Sequence, residues 1–313
     1  MPHAIIHVIK GLSQGAAQTP GERNEALGLL ALCWLLTAGV FIAVKWAGTY
    51  TPPWTLVFFR LLFATLFLLP FVASHYRGMA ARLRDHYKVI LLIGALGLAL
   101  TQGALFTALH HSSVINVGIV FSVWPITAII LAAFFLGDRL TLLQVFGVIL
   151  CFAGVLVIVA QGNPDTIIHM GVNRGDLLVL AAVLCFSFYT VMIKKIKIDL
   201  AALPLLVLIL GSATLASVPF YVWEIIYDPR ITVDWYDIAA IAYIAIPGGG
   251  IMYLLFNTGI GVLGAAKASV TFYLQALFTV ILAYLLLGEQ LHIYHAVGAT
   301  LISIGIILVT VIK

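Results

Sequence analysis

The sequence predicts an all-α integral membrane protein of ten transmembrane helices built as two inverted five-helix repeats, and three observations lead there. Of the 313 residues, 63% are apolar and only 9% charged, with a mean hydropathy of +1.14. A soluble domain carries about a quarter charged residues to cover its surface, so the apolar side chains here must meet lipid. The apolar residues also fall into ten runs, each close to the roughly 20 residues that cross a hydrocarbon core. Finally, glycines and aromatics of the first half recur in the second at a constant offset of 151 residues.

The ten runs are about 26–47, 53–74, 87–109, 113–137, 140–161, 175–196, 202–223, 237–258, 265–288 and 291–312. In lipid every backbone polar group must bond within its own segment. Each run is therefore a helix, including the strand-like Val/Ile stretches near 155–159 and 304–312. Residues 1–25 hold a short apolar stretch, Ala4–Ile9, broken by His7 and followed by polar sequence. They read as a cytoplasmic tail and not as a signal peptide. The two repeats then occupy 26–161 and 175–312.

Orientation follows from the loop charges. With the N-terminus inside, only Lys45, Arg174 and Arg230 of the 16 basic residues lie outside, and Arg60 lies within a span. The rest are cytoplasmic, so both termini should face the cytoplasm of a multi-pass cell-membrane protein, a bacterial inner membrane being the natural setting. Trp46, Tyr50, Trp54, Trp223, Tyr227, Trp235 and Tyr236 gather at the outer ends of spans, where an aromatic belt is expected.

The same composition excludes several classes of function. A formal charge of +4, scattered along the chain, is no nucleic-acid footprint. Cys33, Cys151 and Cys185 each sit inside an apolar run, the pattern of packed thiols and not of disulfides or zinc ligands. His292 and His295 have only Glu289 near them and no third ligand in view, so no metal and no other cofactor is expected. No span carries paired Asp, a Ser with a His partner, or HExxH, which argues against an intramembrane enzyme. The expected partners are the bilayer and a small-molecule substrate. Nothing sets the oligomeric state, and a monomer is compatible with the pattern.

Laying 90–160 over 241–311 matches Gly97 with Gly248, Thr107 with Thr258, Phe121 with Phe272, Gly137 with Gly288, Gly147 with Gly298 and Gly154 with Gly305. A half with an odd number of spans enters the membrane from the opposite side, so the copies are inverted about an axis in the membrane plane. Helix 4 ends in Gly137-Asp138-Arg139-Leu140, its copy in Gly288-Glu289-Gln290-Leu291, and spaced glycines follow each; Arg60 lies in FFRLLFA and Pro125 in SVWPITAIILAAFF. On these residues the chain, from Ala26 to Ile312, resembles the drug/metabolite transporter superfamily, EamA type. Two positions depart from the pattern: Asp138 stands for the usual Glu, and Ala276 occupies the place of Pro125, so a kink in the fourth helix need not recur in the ninth. The resemblance implies a secondary transporter working by alternating access, and within the family the chain is most similar to YddG-type exporters of aromatic and neutral amino acids. The runner-up is a sugar or nucleotide-sugar exchanger, which should show more deep basic residues than Arg60 and Lys267; a membrane enzyme or scaffold ranks below both.

Polar groups inside a bundle are costly and tend to face a cavity. All 12 acids lie in loops or at helix ends, which disfavours ion coupling through a buried carboxylate and favours facilitated diffusion or exchange. Three pairs of large side chains correspond under the repeat near mid-span: Gln102 with Tyr253, Phe106 with Asn257, and Trp124 with Gln275. An amphipathic substrate needs aromatic faces and a few amide or hydroxyl groups, and this set has both. Trp34, Thr37, Ser187, Tyr189 and Tyr273 complete the expected pathway. The bland alternative is that the same side chains fill gaps and bond across helices.

Arg60 lies seven residues into its span, about 10 Å deep at 1.5 Å per residue. It either meets a substrate carboxylate or reaches back to the interface, a carbonyl or an acidic loop partner. Lys267, the other possible charge site, fits a topology charge at the inner end of the ninth helix. Pro247-Gly248-Gly249-Gly250 is the least helical sequence in any span. With Pro125 it marks the expected hinges, close helix packing through small residues being the competing explanation.

Overall fold

The computed structural model describes residues 20–46, 52–112, 114–137, 141–163, 165, 174–196, 198–227, 235–288 and 290–310. Most of the 1–25 tail, the Asp138-Arg139-Leu140 motif, Glu289 and the loop aromatic Tyr50 lie outside them. The described chain is helical: α1 Pro20–Trp46, α2 Pro53–Leu68, α3 Tyr76–Leu92, α4 Thr101–Ala108, α5 Val114–Phe121, α6 Trp124–Leu136 and α7 Leu142–Val159, then α8 Arg174–Lys195, α9 Ala202–Tyr227, α10 Trp235–Ala245, α11 Met252–Leu263, α12 Ala265–Val270, α13 Leu274–Leu287 and α14 Ile293–Thr310. Among the described residues 7 helical stretches are long and apolar enough to cross a membrane. The surface is inverted relative to a soluble protein: Phe134, Leu142 and Ile293 are more than four-fifths exposed, as lipid-facing side chains should be.

One boundary differs from the sequence reading. Helix α1 starts at Pro20, inside the tail assigned to 1–25. Proline is favoured at a first helical position because the amide it lacks has no partner there, and Glu22 adds a negative charge to the first turn.

Several long helical segments are interrupted inside the bundle, and the interruptions come in pairs. A π-helical segment, Ile93–Leu100, joins α3 to α4, and a second, Ile246–Ile251, joins α10 to α11. The chain also turns between α5 and α6, before Pro125, and passes through a 3-10 segment, Thr271–Tyr273, between α12 and α13. The members of each pair overlap under the 151-residue shift, 93–100 falling on 244–251 and 122–123 on 273–274. The proline is therefore not what sets the second break, since Ala276 stands where Pro125 does in the first.

Helices α7 and α14 form the most extensive packing in the molecule. A Cβ on Gly147 would lie 2.8 Å from the Gly305 carbonyl oxygen, and one on Gly154 2.8 Å from that of Gly298. Gly298 copies Gly147 and Gly305 copies Gly154, so each glycine faces the copy of the other. At the centre Cys151 Sγ donates to the Ile302 carbonyl at 3.5 Å, 151 residues away. That reciprocal pattern is what a local two-fold axis produces, and only glycine allows backbones this close.

The N-terminus of α2 is held differently. Glu224, buried near the end of α9, accepts from the amides of Trp54 (3.1 Å) and Thr55 (2.6 Å). A carboxylate thereby satisfies two of the four amides that a helix start leaves open.

Replacing Gly154 by Leu should lower stability by about 1–3 kcal/mol through overpacking, seen as a drop in the thermal midpoint of the detergent-solubilised protein. Gly28→Ala, where a Cβ meets nothing within 4 Å, should leave that midpoint unchanged or slightly raised.

Candidate substrate pathway

Most of the residues marked out by the repeat come together where the paired interruptions meet. Trp34 and Trp124 are 2% and 0% exposed, with ring centroids 5.9 Å apart. Phe272 stands edge-on to both, at 5.3 Å from Trp34 and 4.8 Å from Trp124. Phe256 packs 5.4 Å from Trp34 and Phe186 4.9 Å from Trp124. Phe121 meets its own copy Phe272 at 5.6 Å. The three Phe272 pairs, at 80–86°, have the edge-to-face geometry favoured for aromatic pairs.

The aromatic cluster continues into a polar line. Phe186 stacks on Tyr189 at 5.6 Å and 4°. Tyr189 donates to Asn257 Oδ1 at 2.8 Å and lies 6.1 Å from Tyr253. Gln102 Nε2 donates to the hydroxyl of Tyr253, its repeat partner, at 2.6 Å. Gln102 Oε1 in turn accepts from Arg60 at 3.0 Å. The line therefore runs from two tryptophans to a cation without leaving the protein interior.

Arg60 is only 5% exposed and turns inward, toward Gln102 and Gly248. Its second terminal nitrogen donates to the Gly248 carbonyl at 2.8 Å, and Nε has no partner. The π-turn makes that carbonyl available: the amide of Met252 bonds Pro247 and Gly249 instead. No carboxylate lies within ion-pair reach of Arg60 among the described residues.

Other expected site residues have different surroundings. Tyr273 donates to the carbonyl of Ser122, again its repeat partner, at 3.0 Å. Trp34 Nε1 donates to Thr271 at 2.8 Å. Trp124 Nε1 and Gln275 Oε1, on repeat-equivalent residues, are both buried without partners. Ser187 is shared between Thr127, at 2.5 Å, and the Val183 carbonyl, so it ties α6 to α8. Thr37 bonds the Cys33 carbonyl of its own helix. Phe106 is half-buried at the edge of the core. Lys267 is half-buried and has no hydrogen-bond or ion-pair partner among the described residues. Two shallow surface pockets, one lined by Thr279, Tyr284 and His295 and the other by Val297 and Thr300, lie on α13 and α14 and include none of the site residues.

The hinge residues are tightly packed. A Cβ on Gly248 would overlap Val40, while one on Gly249 would sit 3.6 Å from Ala64 and one on Gly250 3.4 Å from Leu68. The π-turn thus lies directly against α1 and α2. Sequence reasoning did not pick out Phe186, Phe256 or Thr271, whose apolar neighbourhoods give no sign of a site. Phe121 and Phe272 were visible as an identity within the repeat.

A bundle of apolar helices, broken in matched places around a buried aromatic and polar core, defines a multi-pass membrane protein. The EamA-like transporter family model matches the chain twice, over residues 25–160 and 173–311, and the chain belongs to this family. It is a membrane transporter, not an enzyme. The Bacillus subtilis transporter YyaM is 25% identical over 275 residues, covering 87% of this chain and 89% of that protein. An Escherichia coli K12 protein described as a "probable amino-acid metabolite efflux pump" is 26% identical over 290 residues, covering 89% and 93%. The Salmonella typhimurium inner membrane transporter YicL is 24% identical over 260 residues, covering 82% and 84%. One solved crystal structure shares the fold, with a TM-score of 0.77 and 20% identity over 92% of this chain and 97% of the other.

Because Gly248 packs against Val40, Gly248→Ala should destabilise the protein, and Val40→Ala should restore much of the loss. A double-mutant cycle on thermal midpoints should give a coupling of about 0.5–3 kcal/mol; simple additivity would mean that the π-turn does not rest on α1.

Proposed function

We propose that the protein exports small amphipathic metabolites, aromatic and neutral amino acids foremost, by alternating access between two inverted five-helix repeats, 26–161 and 175–312. On this reading ten helices cross the membrane, both termini are cytoplasmic, and the interruptions near Pro125 and at Pro247–Gly250 are where the helices bend. The carrying observation is the continuous line from Trp34 and Trp124 through Tyr189, Asn257, Tyr253 and Gln102 to Arg60. It puts aromatic faces and amide or hydroxyl groups in one buried place, as a substrate with an apolar body and a polar end requires. The description carried by the Escherichia coli relative lends support to amino acids as substrate.

Transport should not draw on a proton or sodium gradient. The buried carboxylates among the described residues, Asp176 and Glu224, stand near helix ends and are already engaged, Asp176 by Ser112 and Glu224 by the start of α2. The protein then acts by facilitated diffusion or exchange down a substrate gradient.

Counterflow in liposomes tests this directly, with labelled phenylalanine, tryptophan, leucine, glucose, UDP-glucose and glucose-6-phosphate as the panel. The amino acids should accumulate transiently, and a protonophore should leave the rate unchanged. Trp124→Ala should cut the rate at least tenfold. Counterflow of the sugars or phosphorylated compounds alone would refute the amino-acid reading, and loss of transport on collapsing the proton gradient would refute the uncoupled mechanism.

A further inference from the structure

A buried guanidinium needs either a counter-charge or a full set of acceptors, because removing a cation from water costs several kcal/mol. Arg60 has neither. Its terminal nitrogens are met by two neutral oxygens, those of Gln102 and the Gly248 carbonyl, and Nε–H is unpaired in a site 5% exposed. Salt bridges with Asp or Glu do not relieve it among the described residues.

A second donor lies in the same network. Tyr253 accepts from Gln102, and the accepting role leaves its O–H hydrogen to donate. The direction of the Gln102 amide follows from its neighbours. Arg60 can only donate, so the amide oxygen must face it and the amide nitrogen must face Tyr253. Two open donors, one of them charged, therefore belong to one hydrogen-bonded chain at the polar end of the aromatic cluster.

We propose that Arg60, with Tyr253, is the receptor for a carboxylate on the transported molecule; the assignment rests on the transport reading above and narrows its substrate class. The site carries one positive charge, so a monoanion neutralises it. A phosphate dianion would leave an excess negative charge in the same desolvated place. A carboxylate is also planar and accepts through two oxygens, the geometry that a guanidinium fork matches. The apolar body of the ligand then points along Tyr189 and Phe186 toward Trp34 and Trp124. Zwitterionic amino acids and simple aromatic monocarboxylates share the feature that the site reads.

The test compares matched ligands on the purified, detergent-solubilised full chain, with tryptophan fluorescence and thermal midpoint as readouts. Phenylalanine and 3-phenylpropionate supply the carboxylate with and without the amino group. Phenylalaninamide and 3-phenylpropionamide remove the carboxylate charge while keeping the size, the first keeping its amino group as phenylalanine does. The carboxylates should bind saturably and raise the midpoint, with each amide at least tenfold weaker. Arg60→Gln should abolish that preference for charge, and Arg60→Lys should retain part of it. Tyr253→Phe should weaken the carboxylates several-fold while leaving the amides alone.

Equal binding of acid and amide by the wild-type protein would overturn the proposal even if every Arg60 variant failed to fold. Binding of 3-phenylpropionate but not phenylalanine would keep the carboxylate site and remove amino acids as its ligands. Counterflow of amino acids with no acid-over-amide preference would keep the transport reading and sink this one.

Discussion

Everything in this fold answers to one constraint: a backbone carbonyl or amide in hydrocarbon has no water to bond, so it must find a partner in the protein. Continuous helices meet the requirement by themselves. The interrupted ones do not, and the carbonyls they release lie inside the bundle. Two such carbonyls are met by side chains from elsewhere in the fold. Gly248, skipped by the π-turn, accepts from Arg60. Ser122, passed over because the Ile126 amide bonds Val123, accepts from Tyr273. The Trp124 carbonyl is approached by Thr127 and Ser187.

The side chains that cover these carbonyls are largely those of the candidate site, and that follows from the same constraint. Irregular backbone at membrane depth is tolerated only where it is enclosed by protein or faces a cavity. Polar side chains are tolerated under the same condition. Both collect around the local two-fold axis, where Gln102 meets Tyr253, Phe121 meets Phe272 and Ser122 meets Tyr273, each pair 151 residues apart. Position on such an axis explains why equivalent residues differ in chemistry. An amide can donate to a phenol across the axis while its oxygen accepts from Arg60, which a second copy of either residue alone would not do.

How much of this was legible in the sequence varies with how local the cause is. The helices were readable because the length and polarity of a run decide them. The contact of α7 with α14 was not anticipated, although the glycines that make it, Gly147, Gly154, Gly298 and Gly305, were visible as repeat identities. The gathering of Trp34, Trp124, Gln102, Tyr253 and Asn257 was anticipated from their pairing and from the fact that a membrane-interface belt does not account for the two tryptophans. The π-segment at Ile93–Leu100 left no local trace, for it contains no proline and reads as ordinary apolar helix. What is distinctive about it is tertiary: a Cβ on Gly97 would lie 2.7 Å from Tyr189, so the segment packs closely on α8. The break at Thr271–Tyr273 likewise arises without proline. The inward turn of Arg60 depended on a carbonyl released 188 residues away, which no local pattern encodes.

These contacts also bear on how binding and movement are joined. A ligand shifts a conformational equilibrium only by the difference in its affinity for the two states. Here the groups open to a ligand and the groups that hold the interruptions closed are the same ones. Arg60 bridges Gln102 on α4 to the π-turn before α11. An anion that engages the guanidinium competes with both neutral oxygens for its hydrogens. Charge favours the anion in that competition, because it adds a direct attraction between opposite charges in a desolvated place that a neutral oxygen lacks. The displaced Gly248 carbonyl then needs another partner, and the glycine packing against Val40 leaves it little room to find one without the π-turn moving relative to α1. On the carboxylate reading, recognition at the polar end of the site would be tied mechanically to a segment whose backbone bonding is already irregular.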